Sequence, residues 1–209
     1  MKKLLFIGDS FTAGENNNGI SYVRYLDKKY DYIQLGVPGS TIGEYSLYLP
    51  KGYSLLSQIE KHKDTIAKVD TIYIEYGIND ISSLLANKIS YQEILHTLDK
   101  AISILRQINP NVEIKYLVLS NDKEVISTYG RIHHEYLTKE FYPNQDIDHI
   151  KDMWSKYYIR LNEDIAKRLE IFPMILDINQ LETYMVKNKM HPEEKGYRMI
   201  ANNIDKYII

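Results

Sequence analysis

The sequence predicts an α/β fold: a five-stranded parallel sheet with helices on both faces, in a single domain spanning residues 1–209. Three observations predict it. Short apolar runs rich in β-branched or aromatic residues recur at 4–7, 31–35, 71–76, 112–119 and 171–178. Stretches with apolar residues at helical spacing separate them. The first three runs end in turn formers, at Gly8-Asp9-Ser10, 36–41 (GVPGST) and 77–80 (GIND). Strands that alternate with helices form parallel sheets covered on both faces. A chain of 209 residues is long enough to bury one sizeable core.

Each element has its own signal. After the first strand, Asn16 to Asn18 offer N-caps, and Ile20, Tyr22, Val23, Leu26 and Tyr30 recur near helical spacing. Residues 53–69 read as an amphipathic helix, with Leu55, Leu56, Ile59, Ile66 and Val69 on one side. Residues 90–108 carry Ile94, Leu95, Leu98, Ile102 and Leu105 on one face, and Asn109-Pro110-Asn111 stops the helix. Residues 120–150 look irregular, an insertion or lid after the fourth strand that contains a helical piece. Residues 151–169 are helical, 180–190 a loop, and 192–207 a closing helix. Pro192 stands at its first position, and Glu193 and Glu194 lie in its first turn, where the helix dipole favours them.

Composition narrows the function. Lys and Arg total 26 against 28 Asp and Glu, a formal charge of −2, so nothing suggests a nucleic-acid partner. The chain has no cysteine, which excludes disulfides, thiolate nucleophiles and cysteine metal sites and fits a reducing, cytoplasmic setting. The basic, apolar start is interrupted at Gly8-Asp9, too soon for a signal peptide, and no segment is apolar for long enough to span a bilayer. The 19 tyrosines suit amphipathic surfaces or a sugar- or acyl-binding cleft, although codon bias explains them equally well.

In a parallel sheet the three strand-end loops open on one edge, where ligands bind. GDSFT at 8–12, GVPGST at 36–41, GIND at 77–80 and MHPEEKGY at 190–197 occur together and in order. This set resembles the SGNH (GDSL) hydrolase family. The resemblance implies a flavodoxin-like, three-layer α/β/α fold and hydrolysis of esters or thioesters. The residue chemistry points to the same roles. Acyl transfer needs a nucleophile, a base within reach of it, and donors aimed at the developing oxyanion. Ser10 is the candidate nucleophile, and His191 the base, since imidazole alone titrates near neutrality unaided. The Ser10 amide, the Gly39 amide and the Asn79 side chain are the candidate oxyanion donors. No metal or organic cofactor is expected.

The sequence departs from the family where an aspartate usually stands three residues before the histidine; here it is Asn188. Asparagine can hold the imidazole tautomer but offers no charge to the imidazolium. Three readings stay open: a Ser-His pair oriented by Asn188 or a backbone carbonyl, a substitute acid, or a weak or inactive enzyme. Asp177 is the nearest substitute. Asp146 and His149 also spell Asp-x-x-His, but before the wrong helix and without the following Pro and Gly-Tyr, and they read equally as an N-cap cluster. His133 and His134 read as surface or lid residues, Asp9 as a turn carboxylate and Asp80 as an anchor for the Asn79 loop. Glu75 faces either a helix layer or the cleft floor. The expected function is hydrolysis of a small acyl ester, acetyl on a carbohydrate being preferred. Lysophospholipase or thioesterase activity is the alternative within the class, and a non-catalytic binding protein the alternative outside it.

Overall fold

A computed structural model describes residues 1–142, 146–184 and 190–208, with the side chains of 134–141, 147 and 184 left out of the description. Five strands form one sheet: β1 (Lys3–Gly8), β2 (Asp31–Gly36), β3 (Thr71–Glu75), β4 (Glu113–Val118) and β5 (Glu170–Pro173). Their order is β2-β1-β3-β4-β5 and every neighbouring pair is parallel. This is the flavodoxin-like order, with its topological switch point between β1 and β3. β3 is buried along its whole length and β1 after its first residue, which explains why both read as continuous apolar runs rather than alternating ones. Phe6 and Tyr73 stack across this central pair at 4.8 Å.

Among the described residues nine α-helices cover the sheet: α1 (Ser10–Ala13), α2 (Leu55–Lys61), α3 (Lys63–Ile66), α4 (Ile78–Leu85), α5 (Tyr91–Ile108), α6 (Lys123–Phe141), α7 (Ile147–Ala166), α8 (Ile178–Tyr184) and α9 (Glu194–Ile204). α5 matches the sequence reading closely because both its ends carry local signals. Ser90 and Glu93 form a reciprocal capping box, and Asn109 ends the helix with its side chain bonded to Ile66 O and Val69 O.

Other elements depart from expectation. Most of the described part of 120–150 is helical rather than irregular: α6 runs from 123 to 141, started by Asp122, which accepts the Glu124 amide at 2.8 Å. Its buried stripe mixes Val125, Ile126 and Tyr129 with His133, so its helical period is weak in apolar residues alone. The expected helix at 53–69 breaks at His62 into α2 and α3. Residues 20–30 hold only a 3-10 turn, Tyr22–Tyr25, which stops where Leu26 turns extended, at φ −64° and ψ 156°. β5 is shorter than expected. Asp177 caps α8 by accepting the Gln180 amide at 2.9 Å, placing a helix where a loop was expected. GIND is a loop only at Gly77, for α4 begins at Ile78, and the closing helix starts at Glu194 rather than Pro192. Among the described residues no helix is long and apolar enough to cross a membrane.

The sheet's carboxyl edge is crowded by backbone. Gly8 pairs with Gly36 on one side and Glu75 on the other. A Cβ at Gly36 would lie 2.1 Å from Ala13 N and 2.4 Å from Thr12 C, both immovable main-chain atoms. Gly36→Ala should therefore displace α1 and cost about 3 kcal/mol, the upper range for overpacking, measured by urea unfolding. A cost below about 0.5 kcal/mol would show that α1 yields freely.

Candidate active site

Asp9 ends β1 and caps α1, its Oδ1 accepting the Phe11 amide at 3.1 Å. This places Ser10 at the first helical position, on the edge of a cleft. His191, two residues before the Glu193 N-cap of α9, reaches the same point, with Nε2 and Ser10 Oγ 2.7 Å apart. Phe11 supports the imidazole edge-on at 5.9 Å between ring centroids. Burial pushes His191 down to about 4, so the ring is neutral and its nitrogen beside Ser10 can accept a proton.

The other expected residues meet the same cleft, which encloses about 260 Å³. The N–H groups of Ser10 and Gly39 donate to no other group among the described residues. Gly39 holds a left-handed φ of 77°, a conformation that favours glycine. The Asn79 side chain is engaged: its Nδ2 donates to Asp9 Oδ2 at 3.1 Å and to Ser40 O at 3.0 Å. Apolar and aromatic walls complete the cleft, from Leu49 and Tyr48 on the Gly39 loop to Ile78, Tyr129 and Met190.

Asn188 lies outside the described residues. Among those that are described, Ser10 is the only hydrogen-bond partner of the His191 ring. Asp177 is exposed and used as the α8 cap, and Asp146 caps α7 with His149 exposed one turn on. His133 corrects the surface reading. It is buried, bonds Ser82 Oγ at 3.1 Å, stacks on Tyr129 and lines the cleft, so the insertion supplies one wall of the site. The side chain of His134 is not among those described. No group of three or more His, Asp or Glu side chains among the described residues is placed to hold a metal.

Sequence reasoning named Asp9 as a turn carboxylate and Asp80 as a loop anchor, both of which the structure shows, but not the burial of these acids and Glu75 together under the site. Glu75 packs under the first turn of α1 rather than among the residues that line the cleft. It is buried, and its Oε2 accepts from the Asp9 amide at 3.2 Å and from Thr12 Oγ1 at 3.0 Å. Burial, and then the Asp9 charge, hold the Glu75 carboxyl well above its ordinary range. Burial also pushes Asp9 up, to about 7, against the opposing pull of the Phe11 amide, so both carboxyls resist ionisation. Asp80 is pushed up to about 6, again by burial, despite the backbone amides of Gly43, Ile42, Gly77 and Asp80 itself, which favour its charge.

A model of the GDSL-like lipase/acylhydrolase family matches residues 6–199, and the chain belongs to that family. It is an ester-bond hydrolase by that membership. No individually curated protein matches the sequence. Solved structures show the same fold at low identity. The native aryl esterase of M. smegmatis superposes with a TM-score of 0.62 at 12% identity, over 100% of this chain and 98% of that one. A carbohydrate acetylesterase family member from Sinorhizobium meliloti gives 0.60 at 13%, over 100% and 97%. An acetyl xylan esterase, AlAXEase, gives 0.60 at 16%, over 99% and 100%.

The buried acids make stability depend on pH in an unusual direction. Asp80 ionises near 3.8 in the unfolded chain but near 6 when folded. Raising pH through that window strips the proton from the unfolded state first, so this group's stabilisation is complete below the window and lost across it. His191 acts oppositely, costing stability as pH falls from 6.5 towards 4. In Asp80→Asn the Asp80 contribution is absent. Relative to wild type, its unfolding free energy should climb by about 2–3 kcal/mol between about pH 4 and 6 and then level off. A pH-independent difference in urea unfolding would show that Asp80 titrates normally.

Proposed function

We propose that this protein hydrolyses small acyl esters through an acyl-enzyme on Ser10, acetyl groups on a carbohydrate being the preferred substrate. The observation that carries the reading is the 2.7 Å contact between Ser10 Oγ and His191 Nε2 beside two N–H groups that have no other partner among the described residues. Ser10 Oγ attacks the acyl carbonyl and passes its proton to His191 Nε2. The tetrahedral oxyanion is held by the Ser10 and Gly39 amides, and by Asn79 once one of its N–H groups is shared with the substrate oxygen. Collapse of the intermediate breaks the ester bond. The alcohol leaves with the proton from His191, and water then cleaves the acyl-serine by the same steps in reverse roles.

A cleft of about 260 Å³ walled by Tyr48, Tyr129 and Leu49 favours a short acyl group over a long chain. The acetyl preference accords with the carbohydrate acetylesterase and acetyl xylan esterase folds it resembles. A cytoplasmic setting belongs to the same proposal and rests on the cysteine-free composition. A second reading, a weak or inactive relative that binds the same ligands, is favoured by Asn188 at the position where the family usually carries its charge.

Two experiments test these statements. The purified protein should hydrolyse p-nitrophenyl acetate faster than the octanoate, and Ser10→Ala should abolish turnover while leaving the fold intact. Asn79→Ala should lower kcat by about 10²–10³ with a smaller effect on KM. Undiminished turnover in Ser10→Ala overturns the assignment, and a preference for octanoate or a lysophospholipid overturns the substrate class. For the orienting position, Asn188→Asp should move the acid limb of kcat/KM to higher pH, because a carboxylate beside the imidazole raises its pKa. An unmoved limb would place the third member elsewhere.

A further inference from the structure

Asp80 follows Asn79 in α4 and takes no part in the proton transfers above. Both of its oxygens are spent on the loop that carries Gly39. Oδ2 accepts the Ile42 amide at 2.9 Å and Oδ1 accepts the Gly43 amide at 3.0 Å. Its helix neighbours pull on the same loop. Asn79 Nδ2 donates to Ser40 O at 3.0 Å, and Ser83 Oγ accepts the Leu47 amide at 2.9 Å. The contact is close throughout: a Cβ at Gly43 would come within 2.0 Å of Ile89 Cδ1. Farther along the loop, Ser46 Oγ donates to the carbonyl of Gly39 itself.

The choice of an acid at this point needs a reason. Asp80 is fully buried, and among the described residues it has no cationic partner. A buried carboxylate without a counter-ion costs stability, as the upward displacement of its pKa by burial also records. Two parallel N–H donors nevertheless require two acceptor atoms. A carboxylate supplies both, whereas an asparagine supplies one oxygen and turns an NH₂ group towards the second amide.

We propose that Asp80 is a positioning residue of the oxyanion hole, gripping the Ile42 and Gly43 amides so that the Gly39 N–H is held at a set distance from Asn79. Of the three donors for the developing charge, the Ser10 amide belongs to α1, and the other two come from the Gly39 loop and α4. One carboxylate, adjacent in sequence to the α4 donor and bonded to the other segment, makes them a unit. Donors that stabilise an oxyanion do so because they are fixed before the charge appears, so loosening one of them acts on kcat.

The inference rests on the acyl-transfer reading, and one double-mutant cycle separates their fates. Hydrolysis of p-nitrophenyl acetate is measured for wild type, Asp80→Asn, Asn79→Ala and the double variant, with Ser10→Ala as reference. Asp80→Asn should lower kcat about 10–100-fold with KM within about threefold, and in the Asn79→Ala background the same change should cost less than about threefold. Equal losses in both backgrounds, a loss confined to KM, or no loss overturns the positioning role while leaving the acyl-transfer reading in place. Turnover that survives in Ser10→Ala overturns the acyl-transfer reading instead, and this inference with it. Should Asp80→Asn not fold, Asp80→Ser, which keeps one acceptor, is carried through the same cycle with the same criteria.

Discussion

The site depends on how the chain is forced to turn where β1 and β3 end side by side. Gly8 has no side chain, and the space a Cβ would need is occupied by Glu75 Oε2 at 2.7 Å and Thr12 Oγ1 at 2.3 Å. The Glu75 carboxyl therefore reaches across to the Asp9 amide and Thr12, and fastens the first turn of α1 over the strand end. Asp9 is held in the capping position by that contact, and Ser10 follows it onto the cleft edge. At the topological switch point the flanking loops diverge to opposite faces of the sheet, which opens room for substrate above Ser10.

The arrangement concentrates acid where acid is costly. Asp9, Glu75 and Asp80 are all buried beside the cleft at which, on the proposed mechanism, negative charge would develop. Two features limit the penalty. Burial raises both Asp9 and Glu75, and the Asp9 charge raises Glu75 further, so two charges on the pair are resisted. Asp80 spends its charge on two loop amides rather than facing the cleft. Stability is thus exchanged for a fixed geometry, a common pattern where a site must be rigid before its substrate arrives.

Much of this was legible in the sequence, for identifiable reasons. β1, β3 and α5 are announced by local chemistry: continuous apolar runs for strands buried on both faces, and the Ser90 and Glu93 capping box. Ser10 and His191, 181 positions apart, could be paired because their motifs resemble those of one family and because their chemistry is that of a nucleophile and its base. α6 was not legible, since its buried stripe includes a histidine that pairs with Ser82 only in the folded molecule. Nor was the role of Glu75. A strand residue alternates between faces, and which face lies under a catalytic turn is decided by register with β1, here Glu75 beside Gly8.

The central claim is that Ser10 is an activated nucleophile, and reaction with a fluorophosphonate probe tests it most directly. An ordinary serine hydroxyl is inert to such a reagent, whereas one beside a neutral imidazole and free N–H donors is phosphonylated with loss of fluoride. The account predicts a single adduct, mapped by peptide mass spectrometry to Ser10 and lost in His191→Ala. An adduct on another residue, or an unlabelled Ser10 in protein that hydrolyses esters, would contradict it.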